Sequence, residues 1–167
     1  MPRIISAPMD LVIATHRGID FRFAGLSLTT KLPPSRYATA GGTGLGFDLR
    51  GVINDETRRL DSLFHDALES WAEIAQEQGA EQAGPAPQMP SNAVLEPIKA
   101  NITDDVGTTY ACVGGRVGGT GTEWDATWIY HPAPPRQARQ LVLAFTIDGT
   151  LTGQSCVIDL QAPDTGR

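Results

Sequence analysis

Hydrophobic and polar residues alternate in short runs through most of this chain, and the period changes once. Ile19, Phe21 and Phe23 share one face of a strand, with Asp20 and Arg22 on the other. Leu45, Phe47 and Leu49 repeat the pattern, as do Leu141, Leu143 and Phe145. A two-residue period places one face on a core and the other in solvent. Strands are expected over Met9–His16, Ile19 to about Lys31, Leu45 to about Ile53, and near Val94–Thr103. Four more are expected at Thr108–Val113, Glu123–His131, Gln140–Asp148 and Gln154–Gln161. Within the second strand the apolar phase slips from odd to even between Phe23 and Leu26, which an unbroken alternation cannot do. A bulge or a tight turn at Gly25 accounts for the slip.

Between the third and fourth strands the period becomes helical. Leu60, Leu63, Phe64, Ala67, Leu68, Trp71, Ile74 and Ala75 recur at steps of three and four, which makes an apolar stripe. Asn54 or Asp55 suits the N-cap and Gly79 the stop. The helix, about 55–78, would be roughly 35 Å long. Arg59, Asp61, Asp66, Glu69, Glu73, Gln76 and Glu77 occupy its polar side. The stripe has two readings: packing against the strands, or in part a docking face. Residues 79–92 (GAEQAGPAPQMPSN) have no period and read as a mobile linker.

Turn chemistry supports a many-stranded fold. Asp104-Asp105-Val106-Gly107 and Asp148-Gly149 are hairpin-type turns, because Asp bonds its own backbone and Gly accepts positive φ. Gly114–Gly121 reads as a long hairpin loop. The three strands before the helix are too few to close a core, so they are expected to join the later ones. The expectation is a mainly β, immunoglobulin-like β-sandwich of about eight strands in one domain over 1–167. One long amphipathic helix is inserted between strands three and four, and a C-terminal tail covers about 162–167.

Composition narrows the partners. The net charge is −6 and the pI about 4.9. Lys31 and Lys99 are the only lysines and the arginines are scattered, so no basic footprint for nucleic acid is expected. No apolar run approaches the ~18 residues that span a membrane, so no membrane insertion is expected. The stretch MPRIISAPMDLVIATHRG is broken by Pro8 and Asp10, a poor signal-peptide core. A cytoplasmic location is expected, the alternative being export with the signal already removed.

Candidate chemistry is sparse. His16, His65 and His131 stand far apart and no Cys or His neighbours them at metal-ligand spacing. Thr39–Gly46 (TAGGTGLG) has the wrong spacing for a dinucleotide loop and reads as flexible. No cofactor is expected. Cys112 and Cys156 alternate with apolar neighbours in their strands. They are read as buried thiols, or as an inter-sheet disulfide across about 44 residues, worth roughly 4 kcal/mol in the chain-entropy model. Asp104, Asp105, Glu123 and Asp125 border turns, and their convergence at one sandwich end would suit Ca²⁺. Trp124, Ala126, Trp128 and Tyr130 share one strand face. Facing in, they make a central core strand; facing out, a platform for sugar rings or a protein hot spot.

From about Val94 to Leu160 the chain resembles bacterial immunoglobulin-like domains of unassigned function. The shared features are an Asp-x-x-Gly-Thr-x-Tyr hairpin (Asp104, Gly107, Thr108, Tyr110), an aromatic strand, a bend at Pro132, Pro134 and Pro135, and the strand of Leu141, Leu143 and Phe145. The resemblance implies an extracytoplasmic binding or stalk module. The expected function is a non-enzymatic protein-interaction or assembly module, with a protein partner or self-association. The alternative is a carbohydrate or small-ligand binding domain using Trp124, Trp128 and Tyr130. Third comes a hydrolase with carboxylates at the sandwich end.

Overall fold

The computed structural model describes residues 3–4, 11–32, 42–118 and 123–160. Among them the elements run β1 (Arg3–Ile4), β2 (Val12–His16), β3 (Ile19–Lys31), β4 (Thr43–Gly51), α1 (Asp55–Gln78), α2 (Ala80–Ala83) and α3 (Pro90–Leu95). Then follow β5 (Ile98–Asp104), β6 (Ala111–Val117), β7 (Asp125–His131), β8 (Gln140–Ile147) and β9 (Thr150–Asp159). All strand pairs are antiparallel, in a four-stranded sheet ordered β1-β9-β8-β5 and a five-stranded sheet ordered β2-β3-β4-β7-β6. The fold is mainly β and sandwich-like. The described strands number nine rather than about eight, since Arg3–Ile4 adds a short one, and the long helix therefore follows β4.

The alternation read from the sequence sets the core. Phe21, Phe23, Leu45, Phe47 and Leu49 of the larger sheet meet Ile98, Leu141, Leu143, Phe145 and Ile158 of the smaller one in a single buried cluster. Phe145 packs edge-on to Phe47 and tilted to Phe23, each at 6.1 Å between ring centres. The phase slip in β3 is a bulge: the β3–β4 register shifts between Phe23 and Gly25 while the strand continues, and Gly25 has φ of 148°. Asp148 and Gly149 both have positive φ and close the β8–β9 hairpin, and Arg17-Gly18 closes β2–β3 in the same way.

Three expectations change. Residues 79–92 carry α2 and the first half of α3 rather than an aperiodic linker, and the strand read from Val94 starts at Ile98. Pro90 opens α3, where its missing N–H costs nothing, and Ser91, Val94 and Leu95 are buried. Glycines taken for loop flexibility stand inside strands, because Gly44 and Gly46 belong to β4 and Gly114 and Gly115 to β6. A side chain at Gly44 would meet Leu32 and the Tyr130 carbonyl, and one at Gly115 the Trp128 ring. They are glycines for want of space. The expectations for Met9–Asp10, Pro33–Pro34, Thr39–Gly41, Gly119–Gly121 and the tail at 162–167 lie outside the described residues. No described helix is long and apolar enough to cross a membrane.

Candidate interaction surface

Helix α1 is locked to the body at its start. Asn54 caps it in a reciprocal box: its Oδ1 accepts from the Thr57 N–H at 2.9 Å, and Thr57 Oγ1 accepts from the Asn54 N–H at 2.9 Å. The Asn54 side chain also donates to the Gly18 carbonyl in the β2–β3 turn. Thr57 is fully buried and Leu60 packs on the core. One turn on, Asp61 accepts from the indole N–H of buried Trp124 at 3.2 Å. Arg59 grips Glu56 through two hydrogen bonds of 2.6 and 2.9 Å, and that grip, with some opposing desolvation, holds the Glu56 carboxyl below its ordinary pKa.

Beyond Asp61 the helix leaves the sheets. Thr57 is its only buried residue, and of the stripe only Leu60 packs against the core, so the first of its two readings holds at the start of the helix alone. The reason is local: the chain reverses at Gly79 (φ 91°) and Gly84 (φ 73°) and returns along one side of the helix. Trp71 Nε1 donates to the Gly84 carbonyl at 3.0 Å, which ties down that return. The covered side is half-buried: Leu60, Phe64, Leu68, Trp71 and Ala75. The other side is not. Leu63 is 53% exposed and Ile74 40%, and Ala67 and Ser70 between them are also exposed. Leu63, Ala67, Ser70 and Ile74 follow steps of four, three and four, the spacing of a coiled-coil seam. The stripe was visible in the sequence; this division of it was not, since it depends on where residues 79–89 turn back.

The aromatic strand has the opposite fate. Trp124, Ala126, Trp128 and Tyr130 are 1%, 3%, 7% and 4% exposed, so the platform reading of Trp124, Trp128 and Tyr130 is corrected: this face of β7 lines the core. Phe47 stacks on Tyr130 at 5.7 Å. Tyr130 also joins the sheets. Its hydroxyl donates to the Ala100 carbonyl at 2.9 Å and accepts from the Ala100 N–H at 3.2 Å. Ala100 lies on β5, an edge strand, so the phenol occupies backbone groups that another strand would otherwise pair with. Burial raises its pKa above the ordinary phenol value. The other sheet ends at β6, whose Ala111, Cys112, Gly115 and Arg116 are exposed; a register shift between Cys112 and Gly114 disrupts that edge.

The four carboxylates do not converge. Asp104 and Asp105 stand where β5 ends, Glu123 and Asp125 where β7 begins, a seven-residue β6 apart, or roughly 20 Å. No group of three or more His, Cys, Asp or Glu able to hold a metal ion occurs among the described residues, and Asp104, Asp105, Glu123 and Asp125 form no common cluster for Ca²⁺. Asp104 instead closes its own turn. It accepts from the Val106 and Thr108 N–H groups at 3.0 Å and from the Tyr110 hydroxyl at 2.8 Å. Partial desolvation works to raise its pKa, but the hydrogen bonds from Thr108, Tyr110 and Val106 win and bring it down to about 2. The Asp-x-x-Gly-Thr-x-Tyr motif is thus a turn clamp. Asp105 accepts from the Arg139 N–H at 2.9 Å, and Asp125 sits 3.7 Å from Arg50.

The remaining candidates are structural or solitary. The cysteines form no disulfide: Cys156 is buried and Cys112 is exposed, so Cys112 is not inward. Burial pushes the Cys156 thiol up to about 12. His16 Nδ1 lies 2.9 Å from the Val94 carbonyl, and His65 packs beside Phe64 on α1. A polar depression of about 340 Å³ on the larger sheet is lined by Asp48, Arg50, Arg116, Glu123, Asp125 and Thr127. Its groups partly satisfy one another, with Thr127 donating to Asp48 at 2.6 Å. No family model matches the chain, and no curated protein or solved structure matches it at a significant score.

Proposed function

We propose that this chain is a non-enzymatic protein-interaction or assembly module and that helix α1 is its docking surface. One observation carries the reading: an apolar seam of Leu63, Ala67 and Ile74 is exposed on a helix whose first turns are fixed to a filled core. Leu63 is 53% and Ile74 40% exposed, so covering the remainder would contribute roughly half of the ~1.5–3 kcal/mol that full burial of such a side chain gives. Most of a globular helix's stability comes from packing its amphipathic face, so a helix with three of its eight stripe residues exposed is suited to a partner that covers them.

On the same footing we read the sandwich as one immunoglobulin-like domain of bacterial type, supported by its two antiparallel sheets and the Asp104–Tyr110 clamp. We place it in the cytoplasm, and its partner is a protein rather than a nucleic acid, in keeping with the net charge of −6.

The test compares wild type with Leu63→Asp/Ile74→Asp. Light scattering after size exclusion reads self-association, and affinity capture with mass spectrometry reads other partners. A mass increase or a captured protein that disappears with the double variant supports the reading. A strict monomer whose capture profile the double variant leaves unchanged overturns it.

A further inference from the structure

We infer that the occupant of the α1 seam is a basic amphipathic helix of another protein, rather than a second copy of this chain. The inference rests on the docking role proposed for α1 and adds the chemistry of its partner.

Charge is the first ground. Helix α1 holds seven acidic residues against Arg58 and Arg59. Both arginines lie in its first turns and are paired there, Arg58 with Asp55 and Arg59 with Glu56. From Ser62 onward the helix carries Asp66, Glu69, Glu73 and Glu77 and no Lys or Arg. Seam spacing sets Asp66 and Glu73 along the side away from the returning chain, with Glu77 at the next seam position. Positions flanking a seam select partners by charge, and these select a base.

The second ground is a local rule the sequence breaks. The C-terminal end of a helix carries partial negative charge and favours Lys or Arg. Here the last turn has no basic residue, Glu77 stands in it, and Glu81 follows in α2. Acids in that place weaken the isolated helix, and a basic partner would reverse their sign of effect. Departures of this kind from local preference are expected at functional sites.

The third ground tells against an antiparallel copy. In an antiparallel self-pair the flank bearing Asp66 and Glu73 meets the same flank of its twin, acid against acid. The small centre of the seam, Ala67 and Ser70, would also face itself and leave the gap unfilled. A partner with bulky apolar residues at its seam fills the space over Ala67 and Ser70. Two chains of net charge −6 repel besides.

The experiment uses the full chain and three synthetic helices of roughly three heptads each. One has Leu and Ile at its seam with Lys flanks, the second has the same seam with Glu flanks, and the third scrambles the first. Fluorescence anisotropy gives each affinity. The Lys-flanked helix is expected to bind at least about tenfold more tightly than either other, with the margin narrowing as salt rises from about 50 to about 300 mM. Asp66→Lys/Glu73→Lys is expected to invert the preference. Leu63→Asp/Ile74→Asp should abolish binding while circular dichroism shows the fold intact.

Equal binding of the Lys and Glu helices, or of the scrambled one, overturns the basic partner. Homodimerisation lost in Leu63→Asp/Ile74→Asp also overturns it while leaving α1 as the docking surface. Binding of the Lys helix that ignores Leu63 and Ile74 overturns both.

Discussion

Two apolar stripes in this chain look alike in sequence and end in opposite places. Trp124 just ahead of β7, and Ala126, Trp128 and Tyr130 on it, are buried within the sandwich. On α1, Leu63, Ala67 and Ile74 keep their period but face solvent. A hydrophobic period states that a face gains from being covered. It does not state whether the same chain supplies the cover. For β7 the smaller sheet does so, and the Tyr130 hydroxyl fastens the two together at Ala100. For α1 the returning segment reaches only one side, through Trp71 and Gly84.

Substitutions can break this comparison, beginning in the core. Trp128→Ala should cost about 3–5 kcal/mol in urea unfolding, since it empties the space that Gly115 leaves for the ring and removes the surface beneath Lys99 (4.8 Å from the ring centre). A loss below about 1 kcal/mol would mean that β7 is not the core strand described.

Tyr130→Phe keeps the ring and deletes the fastening. Two backbone groups of Ala100 lose their partner, so a loss of about 1–3 kcal/mol is expected, with faster amide exchange at Ala100. Unchanged exchange there would contradict the fastening.

Asp104→Asn is expected to act through pH. The folded carboxyl has a pKa of about 2, below the unfolded value of about 3.9. Its contribution is therefore complete above about pH 5 and fades as pH falls through the folded value. Urea midpoints of wild type and Asp104→Asn should differ near neutrality and draw together toward about pH 2. Parallel curves would show that the Val106, Thr108 and Tyr110 bonds do not hold the charged form.

Much of the body was legible because turns and alternation are local. Asp148-Gly149 names its hairpin, and the slip around Gly25 locates a bulge that the register confirms. Errors arose where one residue type serves two purposes. Gly44 and Gly115 read as loop glycines because sequence cannot separate freedom from lack of space. Val94 and Leu95 read as strand because a short apolar run has no clear period, although Pro90 marked a helix start. Cys112 alternates with apolar neighbours yet is exposed, because β6 ends its sheet. The carboxylates all border turns, and β6 holds the two pairs apart. The docking seam was half legible: the period gives the stripe, and only the path of residues 79–89 shows which side stays open.

The smallest expected effect is also the most decisive. Leu63→Ser/Ile74→Ser removes two large apolar side chains, measured as the unfolding free energy of the isolated protein in urea. With that side of α1 open, the pair should change stability by no more than about 0.5 kcal/mol per site. A loss of about 4 kcal/mol or more, as for two buried aliphatic side chains, would show that the chain covers the seam itself and would contradict the account.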